Sequence, residues 1–171
     1  MAGYIANTDG AAFEYIKERQ IWNPVFWFKR DRNPSSTFIV KGNYVFLRIT
    51  RTKPPVISAF GKIAQTAAMS VQEAFDTYGR RLFFESINDM IEHSATWTSS
   101  VDLSPATRIF CIGIDDLKLI RDIRVDRDLE PLGILFDYRH IVTGKGLSTQ
   151  QTSALLRRVE GVSASSSREL Q

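Results

Sequence analysis

The pattern of apolar and polar positions divides the chain into short strands with helices between them. Residues 2–7, Ala-Gly-Tyr-Ile-Ala-Asn, predict a short first strand. Asp9 then caps a helix over residues 10–20, whose Ala12, Phe13 and Ile16 fall on one face. Asn23-Pro24 ends that helix, because the residue before a proline is pushed out of the α region, and Trp22 is left on the helix-to-strand turn. Residues 37–40, a turn at 41–43 and residues 44–50 predict a hairpin, whose second arm is nearly all apolar or β-branched and therefore central. Residues 56–66 are expected to form the next strand, with Gly61 inside it marking a bulge or the close approach of another backbone or a ligand.

Ser70-Val-Gln-Glu73 is a capping box, followed by Val71, Ala74, Phe75 and Tyr78 at helical spacing and closed by Gly79. A further helix is expected over 86–93, then a polar loop around Trp97. Residues 108–115 and 118–125 predict two strands, residues 133–142 a last irregular one, residues 143–146 a turn and residues 148–159 a final helix. Strands spaced too tightly for right-handed crossovers point to an α+β fold: a mixed, mostly antiparallel curved sheet or barrel with helices packed outside. The organisation expected is one domain over 1–160 and a disordered serine-rich tail over 161–171.

At 171 residues, with 43% hydrophobic and 24% charged residues, the chain supports one buried core without metal or disulfide. No apolar run is long enough to span a bilayer and no export leader opens the sequence, so the expected location is the cytoplasm. The net charge of +3 is unevenly spread. Residues 17–62 alone carry +8, which leaves −5 on the rest and places a polyanion-attracting field around one segment. Within that segment, residues 20–32 set Trp22, Phe26, Trp27 and Phe28 beside Lys29, Arg30 and Arg32. Flat rings offer faces for an unstacked base and the cations offer phosphate contacts, although rings of this kind are more often core than cage.

Catalytic and metal patterns fail on inventory. The two histidines, His93 and His140, lie far apart in sequence and Cys111 stands alone in an apolar run, so neither a zinc pattern nor a Cys-His pair is present and no cofactor is expected. Gly144-Lys145-Gly146 lacks the first glycine of a P-loop and reads as a turn in which Lys145 is available to a phosphate. Acidic pairs such as Asp115-Asp116 fall at strand ends, where solvated acids are common. The chain is not expected to be an enzyme.

Several short motifs occur in a familiar order: Asn7-Thr8-Asp9, an amphipathic helix, Trp22-x-Pro24, Lys41-Gly42-x-Tyr-x-Phe, Ala59-Phe60-Gly61, Met69-Ser70-Val71, Tyr78-Gly79 and Ile141-Val-Thr-Gly-Lys. Together they resemble the N-terminal PUA-like module, of the EVE, YTH and SRA kind, of modification-dependent HNH restriction endonucleases. Ala12-Phe13 departs from the Asp-x-x-Trp usual in that family, and no His-rich nuclease motif is present. The resemblance implies a reader, standing alone or cut from a larger protein, that flips a modified base of DNA, or less favourably RNA, into an aromatic pocket; a nuclease effector in cis or in trans is a candidate partner. It places the base at Asp9, Trp22 and Asn23. Trp27 or Phe60 would give a second wall, and Lys29, Arg30, Arg32, Arg51, Lys53 and Lys145 would hold phosphates. An ASCH-like hydrolase of a small modified nucleoside and a protein-interaction domain are the alternatives.

Overall fold

The computed structural model describes residues 1–29, 31–50, 52–97, 103–137, 140 and 144–168. In chain order it contains β1 (Gly3–Thr8), α1 (Gly10–Arg19), β2 (Val25–Phe28), β3 (Tyr44–Ile49), β4 (Val56–Ser70), α2 (Val71–Tyr78) and α3 (Ile87–Trp97). It continues with β5 (Arg108–Arg124), the one-turn α4 (Val125–Asp128), β6 (Lys145–Leu147) and α5 (Thr149–Arg168). The six strands form one sheet in the order β2-β5-β4-β3-β1-β6. Among the described residues only β1 and β3 pair in parallel; the other pairings are antiparallel. The mixed, mostly antiparallel α+β sheet expected from the sequence is the observed one, with β3 in its interior.

A period of two sorts the core. On β3, Val45, Leu47 and Ile49 join one cluster while Phe46, fully buried, joins another; on β5, Phe110, Ile112 and Ile114 point one way and Ile109 and Cys111 the other. The inner cluster is closed by Phe13 and Ile16 of α1. The outer face is covered in two places, by Leu155 and Val159 of α5 and by Val71, Ala74 and Tyr78 of α2 with Met90 of α3.

The sheet is curled. β2 and β1 stand four places apart, which in a flat sheet is about 19 Å. Residues of both strands nonetheless line one cavity of about 100 Å³. Gly61 makes part of that bend possible: a Cβ there would lie 2.6 Å from Ile114 Cγ2 and 3.0 Å from the Asp115 carbonyl, and the β4–β5 register shifts beside it. The close approach expected at this glycine is therefore real.

Local chemistry explains the ends of the helices. Asp9 Oδ1 accepts from the Ala11 amide at 2.8 Å, and Ser70 and Glu73 close their reciprocal box at 3.1 and 2.7 Å, a cap that contributes about 1 kcal/mol.

Four expectations need correction. Residues 37–40 form no strand, because their polar groups are used locally. Asn33 donates to the Ile39 carbonyl at 2.6 Å, the Phe38 and Ile39 amides both donate to the Ser35 carbonyl, and Asn43 donates to the Phe38 carbonyl. The two strands expected over 108–125 are one, which passes a left-handed residue at Asp116 (φ 54°) without breaking. Residues 134–137 are not strand, and the last strand is instead Lys145–Leu147, the segment read as a turn; residues 138–139 and 141–143 of the irregular strand lie outside the described residues. The helices run longer than their apolar faces, α3 through Trp97 and α5 to Arg168, so the stretch read as tail is helical as far as it is described.

Candidate nucleic-acid interface

The cavity lies on the inner face. Tyr4 and Ala6 of β1, Phe26 and Phe28 of β2, Val45 of β3, Ile63 of β4 and Ile112 and Ile114 of β5 line it, with buried Ile39 from the loop before β3. Alternation decides which rings face it. Phe26 and Phe28 pack with the inner cluster, whereas Trp27, although it contributes to the lining, packs with the cluster under α2 and α3. The aromatic walls are therefore Tyr4, Phe26 and Phe28. Burial raises the Tyr4 hydroxyl above the usual phenol range, so it stays a neutral donor or acceptor at physiological pH.

β2 leads directly from this cavity to a basic surface. Lys29 follows Phe28 and, with Asp31, Arg32, Asn33, Pro34 and the first residue of β5, Arg108, lines a shallow depression of about 600 Å³. Three cations and one carboxylate leave it with a net charge of about +2.

At the outer end of β1 lies a polar network that the sequence did not single out. Arg48, counted among the basic residues of the charged segment, is 5% exposed; its Nε donates to Asn7 Oδ1 at 2.7 Å, and its guanidinium lies 5.2 Å from the Phe136 ring centroid. Asn7, which also lines the cavity, donates in turn to the His140 carbonyl at 2.9 Å. Burial lowers the Arg48 pKa from the arginine value. Arg48 therefore acts as a strut for β1 and β3 and does not belong to a phosphate surface.

The sequence-named residues divide. Lys29 and Arg32 meet in the depression and Trp27 borders the cavity. Asp9 is engaged as the α1 cap. Trp22, 41% exposed, and Asn23 sit on the turn before β2 and do not line the cavity; their carbonyls accept from the Leu117 amide and from Arg81 Nε. Phe60 points to the outer face, where it stacks on Phe46 at 5.9 Å and faces Tyr44 at 6.4 Å, so it is no second wall. Lys53 precedes β4 at the end opposite the depression, and Lys145 lies on β6 at the far edge of the sheet from β2. Arg30 and Arg51 lie outside the described residues. The sequence reading did not single out Tyr4 or Arg108, and of the rings in the 20–32 stretch it chose Trp22 and Trp27 over Phe26 and Phe28. A period-two reading of β1 and β2 would have found the three rings, but no local pattern announces Arg108.

Solved structures share this architecture. ASCH from Zymomonas mobilis superposes with a TM-score of 0.64 at 15% identity, over 91% of this chain and 94% of that one. The fold is PUA-like. Protein PSPTO5229 from Pseudomonas syringae matches at TM-score 0.52 and 16% identity, over 91% of this chain and 98% of its own. Human THYN1, in complex with DNA containing 5-methylcytosine, matches at TM-score 0.52 and 13% identity, over 94% and 98%. No protein-family model and no curated protein sequence matches the chain. At these identities the likeness establishes a PUA-like fold shared with ASCH and THYN1 proteins. Among the described residues, no helix is long and apolar enough to cross a membrane, and no cluster of three or more His, Cys, Asp or Glu could hold a metal ion.

Proposed function

We propose that this chain is a nucleic-acid-binding module that reads a modified base, most favourably a modified cytosine or adenine in DNA. The base is flipped against the inner cavity, and the strand that carries it rests on the basic surface. One observation carries the reading: β2 supplies two cavity rings, Phe26 and Phe28, and its next residue, Lys29, opens the basic depression. Base and backbone of a single nucleotide need this adjacency of apolar slot and cationic rim. An apolar cavity of ~150 Å³ accepts benzene, so about 100 Å³ with an open mouth suits the leading part of one planar ring. The THYN1 complex with 5-methylcytosine DNA supports the class of ligand. In this reading the module has no chemistry of its own and serves a nuclease supplied in cis or in trans, as in modification-dependent restriction.

Flipping costs a few kcal/mol, and aromatic stacking returns about 1–3 kcal/mol per base, so selectivity must come from the fit of the cavity. The test is binding to matched duplexes carrying cytosine, 5-methylcytosine, 5-hydroxymethylcytosine or N6-methyladenine, by the native chain and by Ala6→Leu, which fills the cavity from β1. The native chain should prefer one modified duplex, and Ala6→Leu should lose that preference while keeping its general affinity. Equal binding of all duplexes by the native chain would sink the reading.

A further inference from the structure

Arg108 was named by no motif, yet the fold delivers it to the same depression as Lys29 and Arg32 from a different part of the chain. Lys29 and Arg32 come from the end of β2 and the loop after it; Arg108 opens β5, where its backbone pairs with Ser70 of β4. Its Nη2 donates to the Ala68 carbonyl at 3.2 Å, which fixes the side chain across β4. A guanidinium carries five N–H donors in a rigid fork, so one main-chain bond orients it and leaves capacity for a bidentate anion. Two acids are near enough to matter. Asp31 lines the depression, and Glu73, whose field reaches Arg108, is already tied to Ser70 by the capping box. The three cations still outweigh Asp31 in the depression.

We infer that Arg108 is the fixed anchor of a phosphodiester subsite and that the ligand of this site is a nucleotide within a strand, not a free nucleoside. This inference rests on the proposed base-reading role of the cavity. The two concavities differ about sixfold in volume, roughly 100 against 600 Å³, and only the larger is cationic. A nucleoside would use the small slot and leave the charged depression unfilled. A strand, with one charge per ~3.4 Å, places phosphate in both the size and the sign of field that the depression offers. Arg108 fixes the strand where it leaves the cavity mouth, while Lys29 and Arg32 close on it from the loop side.

The experiment compares the full chain with Arg108→Gln, Arg108→Lys and Lys29→Gln. The ligands are a single-stranded heptadeoxynucleotide with central 5-methylcytosine, its unmodified counterpart, and 5-methyldeoxycytidine nucleoside, each measured across a salt series. Arg108→Gln should weaken both oligonucleotides equally and flatten the log–log salt slope by about 0.7, Lys29→Gln should do the same, and Arg108→Lys should restore the slope. The nucleoside should bind far more weakly than either oligonucleotide. An unchanged slope and affinity in Arg108→Gln, with an unchanged melting temperature, overturns the subsite, as does nucleoside binding as tight as that of the oligonucleotide. A native chain that shows the salt effects without preferring the modified base keeps the phosphate subsite and removes the base reading instead.

Discussion

The two ends of β2 look alike in sequence and differ in three dimensions. At one end Trp22 and Asn23 lie exposed on a turn held by the Leu117 amide and Arg81; at the other, Phe28 closes the cavity and Lys29 enters the basic depression. The four residues of the strand itself, Val25–Phe28, roughly 13 Å of extended chain, lie between them. Between them the strand alternates, sending Phe26 and Phe28 inward and Trp27 to the far face under α2 and α3. Density of aromatics and cations along a sequence thus locates a strand, while the pleat of that strand decides which rings can meet a ligand.

The comparison breaks most visibly at Trp27. If its ring is packed structure on the far face, Trp27→Ala strips a half-buried ring from the cluster under α2 and α3 and should cost about 2 kcal/mol of folding free energy. Preference for a modified base should persist in the fraction that remains folded. Urea titration and duplex binding on the same variant check this. Lost discrimination with little lost stability would return Trp27 to the cavity.

A smaller effect sharpens the same division through Cys111, the cross-strand partner of Trp27. Burial pushes its thiol up to about 12 from an ordinary value near 9. Below pH ~9 the thiol is protonated in the folded and unfolded chain alike and its full contribution to stability is present. As pH rises from there towards 12 only the unfolded chain ionises, so stability should fall by up to ~1.4 kcal/mol per pH unit. The hydroxyls of Tyr4 and Tyr78, also raised by burial, titrate with the same sign. The cysteine part is therefore the difference between the native chain and Cys111→Ala in stability measured from pH 8 to 10.5. Identical curves would mean that the face beneath Trp27 is wet.

Much of the fold was legible because its signals are local. The Asp9 cap, the Ser70–Glu73 box and the tight Gly61 each act through neighbours in sequence or through a missing Cβ, and all three sit where the residues imply. The 37–40 arm was misread because its apolar and β-branched residues satisfy strand propensity, while Asn33 and Asn43 capture the carbonyls a strand partner would need. The site was less legible, since it is a property of curl and register. Tyr4 and Phe28 come to one cavity only because the sheet closes β1 towards β2, and Arg108 reaches Lys29 only because β5 runs beside β2. Phe60 shows the converse: its neighbour Gly61 drew attention to the right strand, and the pleat then turned the ring away from the inner face.

The least effect is expected at Trp22, the ring that sequence alone makes the most attractive platform. It is 41% exposed, and its fixed contact is made by its carbonyl, which alanine retains. Truncation removes only part of one side chain's buried area, so Trp22→Ala should cost about 1 kcal/mol of stability. Because the ring lies beyond the end of β2 opposite Lys29, and is absent from the walls of the cavity, affinity for a modified duplex should change by less than about twofold, within ~0.4 kcal/mol. Melting and binding measured together separate the two ends of the strand. A loss of ~1–3 kcal/mol in modified-duplex binding, the worth of a stacked base, would show that the base lodges on the α1–β2 turn and that the inner cavity is only a packing void.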